Sequence, residues 1–284
     1  MIYGRNENFM NNKENNYYNL EGFSEEKFFV RLPNNTVWTL EESGIKSLRS
    51  ELKYPFTISV LYKLCENTTP MNVTFFSLSN LVESCGYKAI KKNTDNFKEL
   101  LKKLEEKGII SNCSTPLDSI KADTMVMCRL NLKLDINYFM VYHKQLKTVM
   151  ESDYTPSVKN NVFTFLCYVL SRIMTCSSEE ENVIQYCYFS YVKAMEDLGM
   201  SKETVINCSA IAKDLGLIFY DNVGYIKSDE KATSNVYALT INGLMNGLRE
   251  SYAYYSQYKD FKPKEEYKKT FDRWGNMEKQ HKRK

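Results

Sequence analysis

Residues 197–218 read DLGMSKETVINCSAIAKDLGLI, and this stretch constrains the fold more than any other. A short helix closes on Gly199, a polar start follows at Ser201, and a second helix runs to Gly216 before an apolar segment. A helix ending in glycine, a Ser N-cap and another terminal glycine are the sequence marks of a helix-turn-helix. Its outward face decides whether such a unit suits DNA.

The same order of elements occurs twice along the chain. In the second half, VKNNVFTFLCYVLSRIM (Val158–Met174) reads as a first helix, YFSYVKAMEDLG (Tyr188–Gly199) as a second and SKETVINCSAIAKDLG (Ser201–Gly216) as a third. LIFYDNVGYIKSDEKATSNVYALTI (Leu217–Ile241) then gives two strands around a polar tip. In the first half, Pro55 opens the helix FTISVLYKLCE, and FSLSNLVESCG (Phe76–Gly86) is a short helix capped by Ser77 or Ser79. NTDNFKELLKKLEEKGII (Asn93–Ile110) is a longer one, followed by a polar connection around Pro116 and the apolar strand TMVMCRLNLKL (Thr124–Leu134). Phe97, Leu100, Leu101 and Leu104 stand at i, i+3, i+4 and i+7, so one stripe of that helix faces a core. Phe97 to Gly108 and Val205 to Gly216 both span 11 positions. Gly86 to Gly108 spans 22 against 17 for Gly199 to Gly216, so the first copy carries a longer turn containing KAIKK.

Three helices followed by a β-hairpin is the order of a winged helix. The expected fold is therefore mainly α (α+β), with two tandem winged-helix domains and small β-hairpin wings. Residues 1–22 read as a flexible Asn-rich arm, 23–152 as the first domain with a connecting helix at Asp135–Ser152, 153–250 as the second domain, and 251–284 as a Tyr-rich helix end and basic tail. Before the first domain's helices, EKFFVRLPNNTVW (Glu26–Trp38) reads as a strand with Pro33, Asn34 and Asn35 as its turn. TLEESGIKSLRSEL (Thr39–Leu52) reads as a helix opened by a Thr39–Glu42 capping box.

The run SKETV, DLGLI, DNVG and SNVYALT, in that order over Val158–Ile241, resembles the winged-helix units of replication initiators (Rep-like proteins) of plasmids and mobile elements from low-GC Gram-positive bacteria. The first half matches in architecture and in the helix exit KKLEEKGII. The resemblance implies a double-stranded DNA-binding protein that acts without catalysis, binds repeated sites and recruits host replication proteins, with a homodimer as its working form. A transcription regulator using the same surfaces, and a protein-interaction scaffold, are the competing readings.

The two third helices differ in charge. Between Lys88 and Lys107 seven lysines face four acids, a local balance of +3 weighted toward the N-terminal half, the end that a recognition helix inserts into the major groove. Lys91, Lys92, Lys98 and Lys102 suit phosphates, which supply affinity and salt dependence without sequence information. Asn93 and Asn96 suit base edges, since an amide pairs bidentately with adenine, although Asn93 also suits a cap. In the second copy Val205, Cys208, Ala212 and Leu215 make the buried stripe. Lys202, Glu203, Ile206, Asn207, Ala210 and Asp214 then face outward. Lys202 and Asn207, with Lys227 in the wing, are its candidate DNA contacts. Ile206 and Ala210 suit either a dimer surface or thymine methyls.

Other chemistry lacks its parts. Eight cysteines include no CxxC pair and read as buried reduced thiols, and the two histidines, His143 and His281, are too few for a zinc site or a Ser-His or Cys-His arrangement. Neither GxxxxGK[ST] nor GxGxxG occurs, so no cofactor, metal or nucleotide is expected, and the chain reads as no enzyme. No run approaches the ~20 apolar residues of a membrane helix and the start has no secretory h-region, so the cytoplasm is the expected location. The net charge is +3, while Lys259–Lys284 alone carries ten basic and five acidic residues, a tail suited to nonspecific DNA affinity.

Overall fold

The computed structural model describes residues 3–5, 28–39, 44–134, 137–174, 186–228 and 231–272. The chain is a mixed α+β protein with small antiparallel sheets. It divides into two compact units, one of Met1–Val183 with Tyr191–Leu217 and one of Ile184–Ser190 with Ile218–Lys284.

The first unit opens with β1 (Tyr3–Arg5) and β2 (Phe28–Pro33), followed by a 3-10 turn at Asn34–Thr36. Next come α1 (Leu48–Leu52), α2 (Thr57–Glu66), β3 (Val73–Phe76), α3 (Leu78–Ser84), α4 (Lys91–Glu106), β4 (Ile110–Ser111) and β5 (Val126–Leu130). β6 (Tyr138–Tyr142), α5 (His143–Met150) and α6 (Pro156–Met174) complete the run. Within Tyr191–Leu217 lie α7 (Tyr191–Leu198) and α8 (Lys202–Asp214).

α6 is the spine of this unit. From Val162 to Ser171 every side chain is buried, polar Thr164 and Ser171 included, the pattern of a helix enclosed on all sides. It packs on α2, α5, α8 and β6, with Tyr62 edge-on to Phe163 at 5.7 Å. β2 is the middle strand of the β1-β2-β6 sheet, and a second sheet has the order β3-β5-β4. Against that sheet's helices the stripe expected on α4 is buried: Phe97, Leu100, Leu101 and Leu104, with Phe56 stacked on Phe97 at 3.9 Å.

A buried charge ties the segment before α1 to α6 and α7. Asp197 is fully buried and accepts from Arg172 at 2.7 Å, Tyr168 at 2.9 Å and the backbone N–H of Thr39 at 3.1 Å, with the Lys193 ammonium 3.4 Å away. Its carbonyl accepts from the Ser47 hydroxyl. The Arg172 guanidinium lies 4.2 Å over the Trp38 ring, and Trp38 donates to Ser171 at 2.9 Å.

The second unit contains β7 (Tyr186–Tyr188), β8 (Phe219–Asp221), β9 (Gly224–Ile226), β10 (Lys231–Ala232), β11 (Val236–Ala238), α9 (Ile241–Tyr255) and β12 (Phe261–Pro263). They form two sheets, β7-β11-β8 and β10-β9-β12. α9 lies on the first, where Tyr186, Val223, Val236, Ala238, Leu248 and Phe271 make the core and Tyr252 and Tyr255 pack against it.

The sequence repeat has a structural counterpart. The order helix, strand, helix, helix, strand, strand runs through α2–β5 and again through α6–β11, with β9 and β10 inserted in the second case. In both sheets the last strand lies between the other two. The third helices close alike: Gly108 and Ile109 donate to Glu105 and Leu104, and Gly216 and Leu217 donate to Lys213 and Ala212, all at 2.8–2.9 Å.

Several expected boundaries are corrected. The helix expected from Thr39 begins at Leu48, where the Ser47 hydroxyl accepts from Ser50; Thr39 donates its N–H to Asp197, and Glu42 lies outside the described residues. Within the connecting helix expected at Asp135–Ser152, Tyr138–Tyr142 is strand β6, because this aromatic and β-branched run finds a partner in Phe29–Pro33; Asp135 and Ile136 lie outside the described residues. Tyr188 belongs to β7 and Phe76 to β3, each a strand that ends where a helix was expected to start. Pro55 sits in the turn before α2, closed by Thr57 donating to Tyr54. The flexible arm expected at residues 1–22 contains strand β1 at Tyr3–Arg5, which pairs with Phe28–Val30, and the rest of it, like the tail beyond 272, lies outside the described residues.

Candidate nucleic-acid interface

α4 is amphipathic with a sharp division along its length. Lys91, Lys92 and Asn96 are exposed and Lys98 is half-buried. Among the described residues no carboxylate pairs with Lys91, Lys92 or Lys98, nor with Lys88 just before the helix. Further along, each lysine is engaged. Lys102 pairs with Asp118, Lys103 with Glu99 at 3.2 Å and with the Tyr54 hydroxyl at 3.2 Å, and Lys107 with Glu51. The hydrogen bond to Asp118 raises the Lys102 pKa, and the one to Tyr54, with Glu99, raises that of Lys103. The Tyr54 hydroxyl and Lys103 together lower Glu99.

Asp118 reaches Lys102 because the connection around Pro116 folds back onto the helices. Leu117 and Ile120 are buried, Ser79 donates its N–H to Ala122 at 2.8 Å, and the Ser79 hydroxyl donates to Asp123 at 2.7 Å. The two asparagines part company. Asn93 is half-buried and its amide donates to the Lys88 carbonyl at 2.9 Å, while the N-cap position falls to Ile90, whose side chain makes no capping bond. Asn96 keeps its amide exposed and uncommitted.

α8 is capped by Ser201, which accepts from Thr204 at 3.2 Å. Val205, Cys208, Ser209, Ile211 and Ala212 are buried and Leu215 is partly so. Lys202, Glu203, Ile206 and Asn207 are exposed, and Ala210, one turn after Ile206, is half-buried. Lys227 belongs to the other unit, in the turn after β9, where its N–H donates to the Asp260 carbonyl at 3.2 Å.

The first unit also carries an apolar surface that was not expected from the sequence. Met71, Phe75, Met125 and Met127 are exposed around the outer side of the β3-β5-β4 sheet, next to an open groove of about 680 Å³ bordered by Lys63, Glu66 and Glu83. The Lys63 ammonium and His143 Nδ1 both meet the Glu66 carboxylate, at 2.6 and 2.7 Å. The period-2 alternation of Val126–Leu130 was the available signal, with Met127 apolar at an outward position where a solvated strand carries a polar residue such as Arg129.

Thiolate formation is disfavoured at Cys113, Cys128 and Cys208. Burial pushes Cys113 up to about 11 and Cys128 and Cys208 up to about 12, far from the thiolate range of a nucleophile. Among the described residues no three His, Cys, Asp or Glu side chains converge on a metal position, and no helix is long and apolar enough to cross a membrane. Neither the models of known protein families nor the curated proteins compared with it match this chain.

Proposed function

We propose that the chain is a double-stranded DNA-binding protein built on two tandem winged helices, and that the N-terminal half of α4 is its principal contact. One observation carries this reading: Lys88, Lys91, Lys92 and Lys98 stand without carboxylate partners among the described residues, whereas Lys102, Lys103 and Lys107 are neutralised locally. Unpaired ammonium groups at the N-terminal end of a helix release counterions when they meet phosphates. Asn96 is the base-reading side chain on this helix, since its amide is exposed and matches the adenine edge.

The matching element order of α2–β5 and α6–β11 supports the tandem winged-helix assignment. The biological role we assign is replication initiation on a plasmid or mobile element, through repeated sites and host replication proteins, in the cytoplasm, on the strength of the resemblance of Val158–Ile241. α8 contributes Lys202 and Asn207 to a weaker contact and Ile206 with Ala210 to a homodimer.

The test is duplex binding as a function of salt. Replacing Lys91, Lys92 and Lys98 with Ala should weaken binding and flatten the dependence of log K on log salt by about 0.9 for each phosphate no longer neutralised. An unchanged affinity and slope would remove α4 from the interface.

A further inference from the structure

No residue of the β10-β9-β12 sheet is among the duplex contacts assigned to α4 and α8. In an antiparallel pair, residues opposite each other share a face. On one face of β9, Tyr225 stands between Ala232 of β10 and Lys262 of β12, while Ile226 pairs with Phe261 on the other. Tyr225, Ala232 and Lys262 are exposed, Tyr225 by 38%, and Lys262 makes no ion pair among the described residues.

β12 is held beside β9 at its middle and at both ends. A Cβ on Gly224 would lie 2.2 Å from the Lys262 carbonyl oxygen and 2.8 Å from the Pro263 Cα, so only glycine lets the strands approach this closely. Beyond the strand, Lys264 and the Tyr267 hydroxyl, the latter at 2.6 Å, converge on the Asp221 carboxylate. Burial acts to raise that carboxyl, and its donors outweigh burial and hold it below its ordinary value. Before the strand, the Asp260 carboxylate accepts from the Ser228 N–H at 2.8 Å. Asp221 and Asp260 are therefore engaged at the two ends of β12, and an aromatic ring lies beside an ammonium that has no ion pair among the described residues, with a small side chain on its other flank.

We infer that Tyr225 and Lys262 form a contact site for single-stranded nucleic acid, with the Tyr225 ring stacking on an unpaired base and the Lys262 ammonium meeting the neighbouring phosphate. A ring fixed on a strand is a stacking platform that tolerates any base. In a duplex the base faces are already stacked on one another, so only an unpaired base offers its π-face. The site shares no residue with α4 and stands whether or not α4 binds duplex.

Fluorescence anisotropy on the full-length chain, with labelled short oligo(dT), oligo(rU) and a duplex, tests it. Oligo(dT) should bind; Tyr225→Ser should weaken that binding at least about fivefold, whereas Tyr225→Phe keeps it. Lys262→Gln should lower the single-strand salt slope by about 0.7. Duplex affinity and thermal unfolding should not change in these variants, because both side chains are at the surface. Oligo(rU) binding with the same dependence on Tyr225 extends the site to RNA, and oligo(dT) binding alone confines it to DNA. Failure of both oligomers to bind, Tyr225→Ser binding like the wild type, or an equal loss of duplex binding in that variant overturns the inference.

Discussion

At the scale of single residues, the least readable feature is Asp197. In the sequence it is an acid before Leu198 and Gly199, the position of an ordinary solvated helix end. Its partners Arg172, Tyr168 and Thr39 lie 25, 29 and 158 positions away, so no local pattern announces them. Buried ion pairs add little net stability over an apolar replacement, but removing one member strands the other charge. Asp197→Ala should therefore cost about 3–5 kcal/mol in denaturant unfolding, with Arg172 left beside Trp38 without its carboxylate. A loss within the roughly 0–1 kcal/mol of surface pairs would show that solvent or neighbouring groups compensate the guanidinium. Asn93 and Asn96 make the converse point. Their identical chemistry made both candidates for base edges, with Asn93 a cap candidate as well, and the half-burial of Asn93 and its bond to the Lys88 carbonyl separate them.

At the scale of elements, what repeats along the chain was legible and what depends on distant partners was not. The apolar stripe of α4 and the glycine exits of α4 and α8 follow from spacing, because burial and helix ends obey the 3.6-residue period and local capping. β3 and β7 hold four and three residues, too few for a period to show, and exist because β5 and β11 pair with them. Lys102 looked equivalent to Lys98 on the helix surface. The difference comes from Asp118, carried over α4 by a connection anchored through Leu117 and Ile120. If α4 meets DNA as proposed, Asp118 masks one cation at the border of the contact. Asp118→Ala should then tighten duplex binding and steepen its salt dependence by about 0.9, while Lys102→Ala in the wild-type background leaves both nearly unchanged. A marked loss on Lys102→Ala would mean that Lys102 leaves Asp118 to reach phosphate.

At the scale of the whole molecule, the internal repeat was visible in sequence while the compact units were not. Spacing reports which elements recur. Unit boundaries depend on strand pairing, and Tyr186–Tyr188 joins Val236–Ala238 from some fifty positions away. The domain limit drawn at 152/153 follows the repeat, whereas the compact units part after Val183 and Leu217 and group α6, α7 and α8 with the preceding elements. This grouping bears on assembly. α8 belongs to the first unit, buries Val205, Cys208, Ile211 and Ala212 within it, and leaves Ile206 40% exposed with Ala210 one turn further along. Ile206 lies outside that buried stripe, and covering it with a second copy is the homodimer proposed above. Repeated DNA sites favour such a pairing, since two linked copies engage adjacent sites with an avidity that neither has alone. Ile206→Glu would place a charge in the proposed contact without disturbing the buried stripe. Sedimentation should show a dimeric wild type and a monomeric variant with the same unfolding temperature. A dimer that survives the substitution would move the assembly surface elsewhere, with the exposed Met71, Phe75, Met125 and Met127 group the next to substitute.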